Sequence, residues 1–197
     1  MIDSYQVLKY EELRQLTLEL FRKIKSAGFI PRSTLGIATR GVHLAELLCD
    51  YFDVPIDFIG IKHYENIEKM RKEPSIETEP SYSYYMSVDF SHGFWFNVLR
   101  EPVLVVDDVV RTGETVEKCK GFLSNKNIRN FKIATIFCDP KARVKPDFYV
   151  RMTEKFVLFP GEYTKFSRFM LKEKKTSEKE LIELGIPEEC VKIAMSE

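Results

Sequence analysis

Neither sign of charge dominates this sequence: 30 Lys and Arg residues face 30 Asp and Glu residues, and the formal net charge is zero. A duplex nucleic-acid binder ordinarily carries a basic excess, so nucleic acid is not an expected partner. No apolar run nears the roughly 20 residues that a membrane-crossing helix needs, and no membrane partner is expected. Met1-Ile2-Asp3-Ser4-Tyr5 lacks the basic-then-apolar order of a signal peptide. Cysteine is sparse: Cys49, Cys119, Cys138 and Cys190 are widely spaced, with no Cys-x-x-Cys pair. That disfavours a zinc site and reads as a reduced, cytoplasmic protein. Internal repeats are also missing. What is present is a chain of 197 residues, 44% apolar and 30% charged, which suits one α/β domain with a substantial core. The 15 Phe and nine Tyr residues make its core or its interfaces aromatic-rich.

Leu13, Leu16, Leu20, Phe21 and Ile24 recur at three- and four-residue steps and predict a first helix, with Gly28 as its stop. Leu35-Gly36-Ile37-Ala38 reads as a strand that turns at Thr39-Arg40-Gly41 into a helix carrying Leu44, Leu47 and Leu48. A strand is expected within 54–61. Residues 62–96 are rich in charge, Ser, Pro and Tyr without a clean period, and predict a long loop or hairpin. Val103-Leu104-Val105-Val106 is the clearest buried strand, expected to end at Asp107-Asp108. A turn around Gly113 and a helix over 115–123 follow it. Further strands are expected over 131–138, 147–150 and 156–159. After Gly161 the tail reads as polar and helical, with a capping box of Ser177 and Glu180 and a last short helix from Pro187. Strands alternating with helices predict an α/β fold with a doubly wound, mostly parallel sheet.

Two strand-to-helix turns carry the chemistry. The run from Val103 to Thr115 brings two adjacent carboxylates, Asp107 and Asp108, to the carboxyl edge of the sheet, where ligands bind in open α/β folds. The turn Arg111-Thr112-Gly113-Glu114-Thr115 then opens a helix, whose first N–H groups and dipole favour an anion. Carboxylates beside an anion cradle suit a sugar phosphate. This run resembles the donor-binding motif of the type I phosphoribosyltransferases: apolar residues, two acids, two apolar residues, one variable residue, then Thr-Gly-x-Thr. The resemblance implies that Asp107 and Asp108 hold the ribose hydroxyls of 5-phosphoribosyl 1-pyrophosphate (PRPP). It implies that Arg111, Thr112, Gly113, Glu114 and Thr115 hold its 5′-phosphate. It also makes Thr39, Arg40 and Gly41 the pyrophosphate loop, with Arg40 on the leaving group. Mg2+ is the implied cofactor, with Asp107 and Asp108 as its protein ligands, and a homodimer is the implied assembly. The loop over 62–96 would close on the site, with Lys62, His63 and Tyr64 able to touch the donor.

The second half, Thr135-Ile136-Phe137-Cys138-Asp139-Pro140 and Lys145-Pro146-Asp147-Phe148-Tyr149-Val150, looks like the bacterial and archaeal 6-oxopurine enzymes. On that resemblance residues 1–161 form the catalytic domain, with a base-binding hood over 139–161, and residues 162–197 form a C-terminal helical extension. Phe156 aligns with the aromatic that stacks on the purine, and Val157 and Phe159 help to line the base slot. Two positions depart from the pattern. Arg111 stands where the family has an acidic proton acceptor, and arginine stays protonated in proteins. Asp139 stands where the family has a lysine that donates to purine O6. A carboxylate accepts, so it suits the 6-amino group of adenine. The expected reaction joins ribose 5-phosphate to adenine, giving AMP, a nucleoside monophosphate, and pyrophosphate. Other readings stay open: a 6-oxopurine substrate with Lys141 replacing the missing lysine, a non-catalytic PRPP-sensing regulator, and a phosphoacceptor in a signalling receiver. Glu114 and Asp139 are the candidates for a general base.

Overall fold

The protein is described by a computed structural model over residues 4–38, 40–60 and 99–196. Its main sheet has five strands in the order β3-β2-β4-β5-β6, all parallel. These are β2 (Ser33–Ala38), β3 (Ile56–Gly60), β4 (Val103–Val110), β5 (Phe131–Cys138) and β6 (Phe148–Met152). Helices α1 (Tyr10–Ser26) and α2 (Arg40–Phe52) cover one face, and α3 (Glu114–Asn125) covers the other. Strand β4 feeds both faces. Leu104 and Val106 pack with Leu20, Leu44 and Leu48, whereas Val103 and Val105 pack with Cys119 and Leu123. Burial on both sides is why these strands read as continuous apolar runs rather than alternating ones.

The first helix ends as the sequence predicts: α1 stops at Ser26, and Gly28 takes a left-handed φ of +73°. One boundary differs. Strand β4 does not end at the acidic pair but runs on to Val110, because Val109 and Val110 continue the pairing with Phe137 and Cys138 of β5. The two acids therefore lie inside the strand. The alternation of faces shifts across them: Val109 packs with the α1 and α2 side and Val110 with the α3 side. A pattern that changes phase is hard to read as one strand from sequence.

Strand β7 (Phe156–Leu158) is not part of the main sheet. It pairs in parallel with a short strand that the sequence did not announce, β1 (Tyr5–Val7). The tail is helical as expected, in α4 (Tyr163–Lys172), α5 (Glu178–Glu183) and α6 (Glu188–Met195). The Ser177–Glu180 capping box is present in full. The tail is not merely polar, however. Tyr163, Phe166, Met170, Leu181, Ile186 and Val191 make a third core cluster with Leu158, against which Tyr5, Val7 and Phe156 pack. Leu8 N–H donates to the Leu158 carbonyl at 2.9 Å, and the Tyr163 hydroxyl donates to the Leu8 carbonyl. The tail thus shares its core with the small sheet.

Two close contacts position the chain turns at the carboxyl edge of the main sheet. Gly41, in the first turn of α2, lies so near β4 that a Cβ there would meet the Val106 carbonyl oxygen at 2.6 Å and Asp107 Cα at 2.9 Å. Gly113 precedes α3 at φ +95°, and a Cβ there would meet the Val144 backbone nitrogen and oxygen at 2.7 Å. Only glycine fits either position.

Two outcomes follow from this packing. Phe166→Ala empties a fully buried site and should lower stability by about 3–5 kcal/mol, read from urea unfolding. Gly41→Ala must push α2 away from β4 and should cost about 1–3 kcal/mol in the same measurement.

Candidate active site

The order β3-β2-β4-β5-β6 places β2 and β4 side by side, and the chain runs outward from them in opposite directions, through α2 to β3 and through α3 to β5. Their carboxyl ends form the switch point of the sheet, where a crevice for ligands arises in open α/β folds. Both turns singled out in the sequence lie there, and each brings a cluster of side chains.

The first cluster gathers around Arg40. Asp107 and Asp108 are 8% and 3% exposed, so two carboxylates are withdrawn from water side by side. Asp107 Oδ1 accepts the backbone N–H of Asp108 at 2.9 Å. Arg40 Nε lies 2.9 Å from Asp108 Oδ2, and Arg40 Nη1 lies 3.5 Å from Glu162 Oε2. The Arg40–Asp108 contact has the distance of an ion pair without the alignment of a hydrogen bond. Among the described residues, Asp108 Oδ2 therefore has a charge partner but no aimed donor. Glu162 Oε2 also accepts the Phe159 N–H at 3.3 Å, and the Arg40 guanidinium sits 5.8 Å from the centre of the Phe159 ring.

Electrostatics follow from this crowding. Burial, then the neighbouring Asp108 charge, holds the Asp107 carboxyl well above the ordinary carboxylate range. Burial likewise raises Glu162, against the opposing pull of Arg40. Burial alone would lower Arg40, but Asp108, Glu162 and Asp107 outweigh it and its pKa is raised. This is a site with more buried acid than base, held near one arginine.

The second cluster lies around Arg111. Its backbone belongs to the turn between β4 and α3, but its side chain leaves that turn. Arg111 Nη1 is 3.6 Å from Asp139 Oδ2, Nη2 donates to the Lys155 carbonyl, and the guanidinium lies over the Phe156 ring at 5.8 Å from its centre. Asp139 also caps its own turn, with Oδ1 accepting the Lys141 N–H at 2.8 Å. The Lys141 ammonium points elsewhere, to Glu154 at 3.1 Å. Phe156 meets Tyr5 edge-on at 5.7 Å.

The remaining expected residues fall as follows. Thr112 Oγ1 accepts the Glu114 N–H at 3.2 Å, and the Thr112 carbonyl accepts the Arg143 N–H at 3.0 Å. Glu114 and Thr115 stand in the first turn of α3, whose N-cap is Gly113. Val157 and Phe159 are 1% and 3% exposed and belong to the main core cluster, so neither presents an open wall. Phe159 meets the site through the Arg40 guanidinium beside its ring. Thr39, Lys62, His63, Tyr64 and the whole of 62–96 lie outside the described residues. Sequence reasoning missed Glu162. It follows Pro160-Gly161 as the N-cap of α4, in no recognisable pattern, and its link to Arg40 spans 122 residues. The domain boundary expected at 161/162 would part it from the residues it touches.

Among the described residues, no group of three or more His, Cys, Asp or Glu side chains is placed to hold a metal by itself. Two adjacent carboxylates, one with an oxygen lacking an aimed donor, do fit a magnesium ion. Such an ion takes one or two protein carboxylates and completes its shell with substrate oxygens and water.

Comparisons with known proteins agree with this fold. A family model described as the phosphoribosyl transferase domain matches residues 6–167. A purine phosphoribosyltransferase of Pyrococcus horikoshii is 25% identical, with a TM-score of 0.61 over 80% of this chain and 94% of that one. A xanthine-guanine-hypoxanthine phosphoribosyltransferase of Helicobacter pylori shares the fold at 20% identity and a TM-score of 0.56, covering 88% and 98%. A hypoxanthine-guanine phosphoribosyltransferase of Bacillus anthracis does so at 17% and 0.53, covering 75% and 83%. No curated protein matches the sequence. With a family match across most of its length, this chain belongs to the phosphoribosyl transferase domain family.

Proposed function

We propose that this protein is a purine phosphoribosyltransferase that transfers ribose 5-phosphate from PRPP to adenine, giving AMP and pyrophosphate. The observation that carries the reading is the convergence of Arg40 on Asp108 at 2.9 Å, which joins the two turns into one site. The name of the 25%-identical Pyrococcus structure supports a purine as acceptor.

In the reaction, the bond from C1′ to the pyrophosphate oxygen breaks and a bond from C1′ to a ring nitrogen of the base forms. Charge grows on the departing pyrophosphate, and a preorganised cation beside it is stabilising in a water-poor site. Arg40 is that cation. Asp107 and Asp108 accept hydrogen bonds from the ribose hydroxyls and stand near the positive charge that develops at C1′. The backbone N–H groups from Thr112 to Thr115, at the start of α3, receive the 5′-phosphate. Asp107 and Asp108 are also the residues that would hold Mg2+, which when bound supplies charge neutralisation for the donor's pyrophosphate.

The choice of base rests on Asp139. It is an acceptor at the carboxyl end of β5, where a 6-oxo group would need a donor. Lys141, the nearest alternative donor in sequence, is tied to Glu154 and 77% exposed. A slot that offers acceptors favours the amino group of adenine, and matched polar sites reject the wrong partner strongly.

The test is pyrophosphate release from PRPP with Mg2+ and adenine, hypoxanthine, guanine or xanthine in parallel. Adenine should be the best acceptor, and Asp108→Asn should lower turnover about 10²–10³-fold. Preferred turnover with hypoxanthine or guanine would overturn the adenine assignment, and no pyrophosphate release with any base would overturn the enzymatic reading.

A further inference from the structure

We propose that Arg111 is a specificity-determining residue of the base slot, acting with Asp139 as one donor–acceptor pair that reads the edge of the acceptor base. This inference rests on the transferase reading above, and it takes the Arg111 side chain away from the 5′-phosphate, where the turn alone would place it.

Three contacts carry it. The guanidinium leaves the turn and lies against Asp139 at 3.6 Å, the Lys155 carbonyl and the Phe156 ring. All three belong to 139–156, on the hood side and not on the helix that would cradle a phosphate. Secondly, the pair is incompletely satisfied. At 3.6 Å, Nη1 and Oδ2 attract as charges but do not make a close hydrogen bond. Their side chains are 17% and 15% exposed, so both keep some surface that a ligand can reach. Thirdly, the guanidinium is planar and lies over the aromatic ring that a base was expected to cover. Arg111 thus stands beside that ring with a planar group that can stack on a flat ligand and donate in its plane.

Such a pair matches a neutral heterocycle that presents a ring-nitrogen acceptor beside an exocyclic amino donor. Arg111 donates to the ring nitrogen and Asp139 accepts from the amino group. A base with two acceptors on that edge leaves Asp139 facing an acceptor, an unpaired polar contact that binding cannot tolerate cheaply. The anchoring of the guanidinium on Lys155 and Phe156 also means that little side-chain ordering remains for when the base arrives.

The experiment compares the wild type with Arg111→Met and Asp139→Asn, after thermal unfolding has established that the variants fold. For each, the KM for adenine and for hypoxanthine and the Kd for PRPP are measured. Arg111→Met should raise the KM for adenine about tenfold or more and leave the Kd for PRPP within about twofold. Asp139→Asn, whose amide can donate, should lower the preference for adenine over hypoxanthine about tenfold. A folded Arg111→Met that loses PRPP affinity with its adenine KM intact would return Arg111 to the phosphate and overturn the inference, while leaving the transferase reading in place. Unchanged constants in both variants would overturn it in the same way. If Arg111→Met does not fold, Arg111→Lys serves, since it keeps the charge but loses the planar fork; an unchanged adenine KM there overturns the inference. A wild type that turns over no base overturns both readings together.

Discussion

Two carboxylates buried side by side inside a parallel strand are the constraint from which the site follows. Each loses its hydration, and burial together with the Asp108 charge raises the cost of ionising Asp107. Asp107 and Asp108 are tolerated because Arg40 reaches them from the first turn of α2. That reach is possible only because Gly41 lets the helix settle within van der Waals distance of β4. The glycine, the arginine and the acids are therefore one device: close packing delivers the cation, and the cation makes the buried acids sustainable. Glu162 adds a further negative charge, so the cluster stays acid-rich and receptive to cations and hydroxyl donors.

The C-terminal helices have a place in this device. α4 begins at Glu162, which touches both Arg40 and the Phe159 backbone, and the same helix buries Phe166 and Met170 against the small sheet. Stability of the tail and position of Arg40 are thus linked through one helix start. The family match ends at residue 167, inside α4.

Much of the architecture was legible because apolar runs and glycine stops are local signals. Strand β5 matches its expected bounds, α1 ends before Gly28, and the Ser177–Glu180 cap is present. The misjudged elements share a physical cause. Strand β4 was expected to stop at its acids, because charged residues rarely continue a buried strand; neighbouring strands and Arg40 override that preference. Strand β1 has three residues and exists only because β7 lies beside it. The tail looked polar because charged residues surround its apolar positions; in α4 those positions, Tyr163, Phe166 and Met170, nevertheless fall on one buried face.

For the site, the sequence by itself determined the inventory: an acid pair after an apolar run, a glycine-bearing turn before a helix, an arginine in the opposite turn, and the two departures Arg111 and Asp139. Those are properties of adjacent residues, and spacing along the chain is enough to read them. Only the tertiary structure decided how they are shared out. It drew Arg40 between Asp108 and Glu162, turned Arg111 from its own turn to Asp139 and Phe156, and sent Val157 and Phe159 into the core. Side-chain direction at a strand end depends on which distant segment packs against it. Glu162 and Lys155, 122 and 44 residues from their arginines, carry no mark in the sequence of where they will arrive.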